Sequence, residues 1–243
     1  MAILLREWNY FRIFAAQFIN QKLYDNDIDI MNKKERFVIT INRELGSGGR
    51  TVGRLLAEKL GVPFFDKAVI KALQEKYHLT TEEIERLKGR KHSWWAEVEN
   101  ILKIGSGIDM EYYMPQKGDA PDLLTTDEMF KTETLILQDL AVEQSCVVAG
   151  RSGFHVFRLH PNHLSILIQA SMEHRVERVA HKQGITPEEA RKIIDQVDKM
   201  RENYVKKYTG TSRYDTRNYQ LVISADDKTE EEMADLIMQY IEN

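Results

Sequence analysis

The chain has 243 residues and a formal net charge of −4, with 42% hydrophobic and 30% charged residues. That balance excludes a disordered or membrane-embedded chain and any global basic field that would recruit nucleic acid, so an anion site must be local. A single cysteine, Cys146, excludes an internal disulfide framework and a cysteine-rich zinc site, and a cytoplasmic protein is expected.

In chain order, residues 1–30 come first. Ile3, Leu4, Leu5, Trp8, Phe11, Ile13, Phe14 and Phe18 are apolar, but Arg6, Glu7 and Arg12 interrupt them, which is too much charge for a membrane span. We expect an amphipathic extension, dispensable if Met31 opens the working domain of residues 31–243. Phe37 to Ile41 is a β-branched run of strand length ended by the glycines of Gly46–Gly49. Val52, Leu55, Leu56 and Leu60 then mark one face of a helix over Thr51–Leu60, stopped by Gly61 and Pro63. Pro63–Asp66 reads as a second strand and Lys67–Tyr77 as a second helix.

Thr80 and Glu83 have capping-box spacing and start a polar helix towards Lys91. Residues 104–126 form the longest irregular stretch, a functional or mobile loop. Asp127–Glu143 is expected to be helical and Cys146–Ala149 a buried strand ending at Gly150-Arg151. Leu164–Ile168 is another buried strand, and Pro187–Tyr208 a long helix with Thr186 as its cap. Tyr219–Ile223 and Thr229–Ile241 close the chain as strand and helix. Five short strands alternating with helices predict an α/β fold with a parallel sheet, whose ligands sit beyond the carboxyl ends of the strands. That rule selects Asn42–Thr51, Asp66, Gly150-Arg151 and Gln169-Ala170.

The run Arg43-Glu-Leu-Gly-Ser-Gly-Gly-Arg-Thr51 lies between a strand and a helix. Backbone N–H groups of such a turn suit a phosphate, and the helix start adds partial positive charge. Against the P-loop pattern G-x-x-x-x-G-K-S/T two registers exist. One puts Arg50 in the lysine seat, Thr51 in the metal seat and Glu44 at the first glycine. The other matches Gly46-Ser-Gly48 to the G-x-G of nucleoside monophosphate kinases, with Gly49 in the lysine seat and Arg43 at the leading glycine. The second keeps two glycines and Thr51. In either, Arg50 is the nearest cation able to fork onto a phosphate.

Ile39 to Gly53, Pro63-Phe-Phe-Asp-Lys67, Val148-Ala-Gly-Arg151, Asp198-Lys-Met-Arg-Glu-Asn-Tyr204 and Tyr214-Asp215 with Asn218-Tyr219 resemble the cytidylate kinase-like family over about residues 36–243. The resemblance implies a P-loop NTPase-type parallel sheet of about five strands flanked by helices, a helical lid around 172–216 and an acceptor-side insertion around 78–130. It implies ATP-dependent, Mg²⁺-assisted phosphoryl transfer to a nucleoside monophosphate, cytidylate-like by preference. Nucleotide substrates are then its partners. By the same resemblance Gly46, Ser47, Gly48, Gly49, Arg50 and Thr51 cradle the donor phosphates, with Thr51 as a Mg²⁺ ligand. Asp66 lies in the acceptor region and Arg151 contacts the acceptor phosphate. Asp198 and Arg201 belong to the lid helix, and Arg175 and Arg178 are lid-side cations. Cytidylate kinases proper carry Gly-Arg-Asp where this chain has Gly150-Arg151-Ser152, so that carboxylate is absent.

Phosphoryl transfer asks the protein chiefly for positioned cations, and Arg50, Arg151, Arg175, Arg178 and Arg201 can supply a clamp. Taken singly, Arg175, Arg178 and Arg201 are equally explained as solvated charges, and Asp198 with Arg201 as an ordinary i, i+3 helix pair. The rival functions are a nucleotide-binding module with little catalysis, suggested by the missing lysine, and a kinase for a non-nucleotide metabolite, suggested by Ser152. His155, His160 and His163 lack a ligand pattern for zinc. Trp94, Trp95, Tyr112 and Tyr113 are candidates to stack on an acceptor base.

Overall fold

A computed structural model of the chain describes residues 30–67, 70 and 127–242. The extension before Ile30, the helices expected beyond Lys67 and from Thr80, the loop 104–126 and most of the 78–130 insertion lie outside the described residues. So do Trp94, Trp95, Tyr112 and Tyr113.

Among the described residues five strands form one sheet: β1 (Val38–Arg43), β2 (Phe64–Phe65), β3 (Cys146–Ala149), β4 (His163–Gln169) and β5 (Leu221–Ser224). Their order is β2-β3-β1-β4-β5, and every pairing is parallel. The helices are α1 (Gly49–Leu60), α2 (Asp127–Glu143), the short α3 (Gly153–Val156), α4 (Met172–Gln183), α5 (Pro187–Thr209) and α6 (Glu230–Glu242). β1 is central, with β3 on one side and β4 on the other, so the chain leaves it in one direction and later returns to the opposite side. That is a topological switch point, and its crevice opens at the carboxyl end of β1.

The alternation of β1 explains the layers. Ile39 and Ile41 face α1 and α6 in a core shared with Val52, Leu56, Leu164, Ile166, Ile237 and Ile241. Val38 faces the other way, towards α2, with Phe65, Val148, Ile136, Leu137 and Leu140. Each fully buried Leu or Ile in these layers contributes about 1.5–3 kcal/mol, which fixes the sheet as a rigid platform. α1 stops where Gly61 turns left-handed (φ 66°) and returns its N–H to Ala57 and Glu58 carbonyls. α5 starts at a complete capping box, Thr186 with Glu189, and Pro187 follows the cap. α4 and α5 pack on each other around Val179, Ala190 and Ile194, with Leu45 of the glycine turn in the same cluster.

The last strand differs from its expected span of Tyr219–Ile223. A 3-10 turn at Thr216–Asn218 precedes it, and the hydroxyl of Tyr219 donates to the Arg213 carbonyl at 2.7 Å, so pairing begins at Leu221. α3 differs from expectation as well, and follows from the left-handed backbone turn at Gly150–Ser152.

Candidate active site

The segment after β1 is built for a close approach. Gly46 and Gly48 have φ of 87° and 76°, a region open to glycine at no steric cost. A Cβ on Gly46 would lie 2.8 Å from the Arg175 carbonyl, so the turn presses directly on the first turn of α4. Ser47 ties the loop shut, its hydroxyl donating to the carbonyls of Glu44 (3.0 Å) and Ile168 (3.3 Å). Gly48 is the N-cap of α1 and offers no side-chain cap, and no acidic residue sits in the first turn. The amides of Gly49, Arg50 and Thr51 therefore begin the helix uncapped by a side chain, as an anion requires.

Asp198 joins this loop to the helical pair. Its Oδ1 accepts from the Leu45 N–H at 3.2 Å and from Arg213 Nη1 at 3.3 Å, while Oδ2 lies 2.5 Å from Arg175 Nη1. Arg201 Nη1 stands 3.9 Å away and donates to the Arg43 carbonyl at 3.3 Å. Arg213, completely buried, donates to that same carbonyl. Arg175 is 7% exposed, which removes the solvated-charge reading for it. Arg178 pairs with Glu230 at the start of α6, whose Oε1 would lie 3.2 Å from a Cβ on Gly48. The structure thus gathers Arg175, Arg178, Asp198 and Arg201 around the glycine turn.

Arg50 and Asp66 meet as well, with Nε and Oδ2 2.6 Å apart, joining the first turn of α1 to the end of β2. Arg151 stands apart from this group. Gly150, Arg151 and Ser152 are all left-handed, with φ of 77°, 53° and 53°, and the turn closes by Gly153 N–H to the Gly150 carbonyl at 2.9 Å. For a non-glycine residue that conformation costs roughly 1–2 kcal/mol. The turn buries the Arg151 guanidinium against Glu133 of α2, with its carbon 4.9 Å from the centre of the Tyr204 ring. The Tyr204 hydroxyl donates to Glu133 at 3.3 Å. Burial pushes the Arg151 guanidinium below its ordinary value and the Tyr204 phenol above its own.

Four participants were not singled out from the sequence as site residues. Tyr204 and Arg43 fall inside stretches that carried the family resemblance, Arg213 lies just before one of them, at Tyr214, and Glu133 reads as one more helix acid; Arg43 was otherwise weighed as the occupant of the leading-glycine seat. Of the histidines, His163 bonds Thr40 Oγ1 through Nε2 at 2.8 Å and serves the sheet. Cys146 is buried in β3, its thiol pushed up to about 12 by burial.

This P-loop-type sheet and turn have counterparts among known proteins. Residues 38–227 match the family described as the Cytidylate kinase-like family. The chain is 26% identical over 207 residues to a cytidylate kinase from Methanopyrus kandleri, covering 84% of this chain and 93% of that one. It is 27% identical over 206 residues to an S-adenosylmethionine-dependent nucleotide dehydratase from Lacinutrix mariniflava, covering 83% of this chain but 35% of that protein. Among solved structures, an uncharacterized protein from Eubacterium ventriosum superposes with a TM-score of 0.59 at 21% identity, covering 86% of this chain and 99% of the other. The chain is a member of the cytidylate kinase-like family, with a P-loop kinase fold.

Proposed function

We propose that the protein transfers the γ-phosphoryl group of ATP to the phosphate of a nucleoside monophosphate, a cytidylate-like acceptor being favoured by the family. An acceptor phosphate oxygen bonds to the γ-phosphorus while the β–γ bridging P–O bond breaks, leaving ADP. The observation that carries this reading is the uncapped start of α1 behind two left-handed glycines, set at the sheet's switch point and surrounded by arginines.

In this reading Gly46 to Thr51 hold the donor phosphates through main-chain N–H groups, and Arg175, Arg178 and Arg201 lie on the lid side of the transferring group. Asp198 orients three of the arginines rather than touching substrate. Arg151 takes the acceptor phosphate, and Asp66 faces the acceptor side while paired to Arg50. The first turn of α1 also fits Mg²⁺: Thr51 would hold it together with phosphate oxygens and water, where it neutralises charge on the phosphates. Closing α4 and α5 over the site excludes water and so limits ATP hydrolysis.

A coupled ADP-release screen over CMP, dCMP, UMP, AMP, GMP and several sugar and cofactor acceptors tests the proposal. Turnover with one or a few monophosphates is the expected outcome. ATP-dependent thermal stabilisation without turnover of any acceptor would establish the binding-module alternative instead. Ser152 in the place of a carboxylate favours, as the second reading, a kinase for a phosphate acceptor that is not a nucleotide.

A further inference from the structure

We infer that Arg43 is the phosphate-binding cation of the donor loop, filling by a reciprocal exchange with Gly49 the role that the P-loop lysine plays elsewhere. The inference rests on the ATP reading above and adds a residue to it. In the pattern G-x-x-x-x-G-K-S/T the lysine reaches the β- and γ-phosphates. In the register that preserves Gly46, Gly48 and Thr51, the lysine seat holds Gly49 and the leading-glycine seat holds Arg43.

The geometry explains why the two positions change together. A Cβ on Gly49 would lie 2.6 Å from Arg43 Cβ and 3.2 Å from its Cγ. A side chain at one seat therefore excludes a side chain at the other, and the cation has moved from the first turn of α1 to the last residue of β1. From there Arg43 runs across the mouth of the crevice until Nη1 lies against Gly150, where an added Cβ would approach to 2.2 Å. Glycine at both ends clears its path. The guanidinium thus spans from the donor loop to the turn that presents Arg151, which is the gap a transferring phosphoryl group must cross.

Its surroundings suit an anion. Burial first, and then the like charge of Arg201, with smaller contributions from Arg213 and Arg50, lowers the Arg43 guanidinium to about 9, while Asp66 opposes the shift. A phosphate placed there relieves the mutual repulsion of these cations. The Arg43 backbone is fixed from behind, since its carbonyl accepts from both Arg201 and Arg213. Arg50, the nearest cation by sequence, is engaged with Asp66 at 2.6 Å, which ties it to the acceptor side of the cleft.

The test measures binding of inorganic tripolyphosphate and of ATP to the full chain by calorimetry, with turnover and melting temperature recorded for each variant. Arg43→Met and Arg43→Gly should lower both affinities about tenfold or more, Arg43→Lys should stay within about threefold, and the double variant Arg43→Gly with Gly49→Lys should recover most of the loss. Recovery by the exchanged pair is a result that a merely structural role for Arg43 would not give. If Arg43→Met fails to fold, the double variant decides: a folded double variant that binds tripolyphosphate supports the exchange, and one that does not bind overturns it. Wild-type affinity in a folded Arg43→Met protein that still turns over would overturn this inference alone. Failure of the wild-type chain to bind either probe would overturn it together with the ATP reading.

Discussion

The carboxylate of Asp198 on α5 accepts the main-chain N–H of Leu45 at 3.2 Å, so the long lid-side helix is bonded to the donor loop itself. The same group faces Arg175 at 2.5 Å and the fully buried Arg213 at 3.3 Å. One acid therefore balances more than one guanidinium, and its loss takes the paired carboxylate from the buried Arg213 and leaves Arg175 only the more distant Glu44 at 3.8 Å. Removing one partner of a buried pair costs about 3–5 kcal/mol. We expect Asp198→Ala to lower stability by about that amount, and Asp198→Asn by less, because the amide oxygen still accepts from Leu45. Urea midpoints of the three proteins measure this. Midpoints that coincide would show that Asp198 does not hold the arginines together.

Arg151 belongs to a different part of the cleft, and its variants should separate from those of the donor loop. Its guanidinium rests on Glu133 of α2 and on the ring of Tyr204 of α5. Arg151→Ala is expected to lower kcat/KM for the acceptor about tenfold or more, while ATP affinity stays within about threefold of wild type. Tyr204→Phe keeps the ring under the guanidinium but loses the bond to Glu133, and should have a smaller effect in the same direction. Steady-state kinetics with each substrate varied in turn provide the measurement. An equal loss for ATP and acceptor would place Arg151 in the donor site instead.

Periodicity and caps made much of this architecture legible in the sequence. α2 and β3 have the expected bounds, and α5 begins at the expected Thr186 cap, because amphipathic helices and apolar strands declare themselves locally. β5 was displaced because Tyr219 looks like a strand residue but spends its ring on Phe154 and its hydroxyl on Arg213. Long-range placement was the part that local pattern could not carry. Arg175 reads as an ordinary helix cation until Gly46 is seen pressed on its backbone, and Glu133 as a solvated acid until the left-handed turn at Arg151 brings the two together. Positive φ at Arg151 and Ser152 has no signature in those residue types, so neither that turn nor α3 could be read in advance.

The acid response of the fold should be dominated in part by His163. Burial first, and then the charge of His160, pushes its imidazole from 6.5 down to about 3, although the Phe157 backbone opposes the shift. The neutral ring shares a hydrogen bond with the Thr40 hydroxyl through Nε2 at 2.8 Å and so bridges β1 and β4. Because the folded value lies below the unfolded one, the unfolded chain binds the extra proton between about pH 6.5 and pH 3. Stability therefore falls as the pH drops through that window, by at most about 1.4 kcal/mol per pH unit from this group. His155 and His160 are lowered too and act in the same direction. His163→Gln keeps a polar side chain for Thr40 but cannot titrate, so its unfolding free energy should decline less steeply than wild type between pH 6.5 and pH 4. Parallel pH profiles for the two proteins would show that His163 is free to protonate in the folded state, contrary to its buried seat in the sheet.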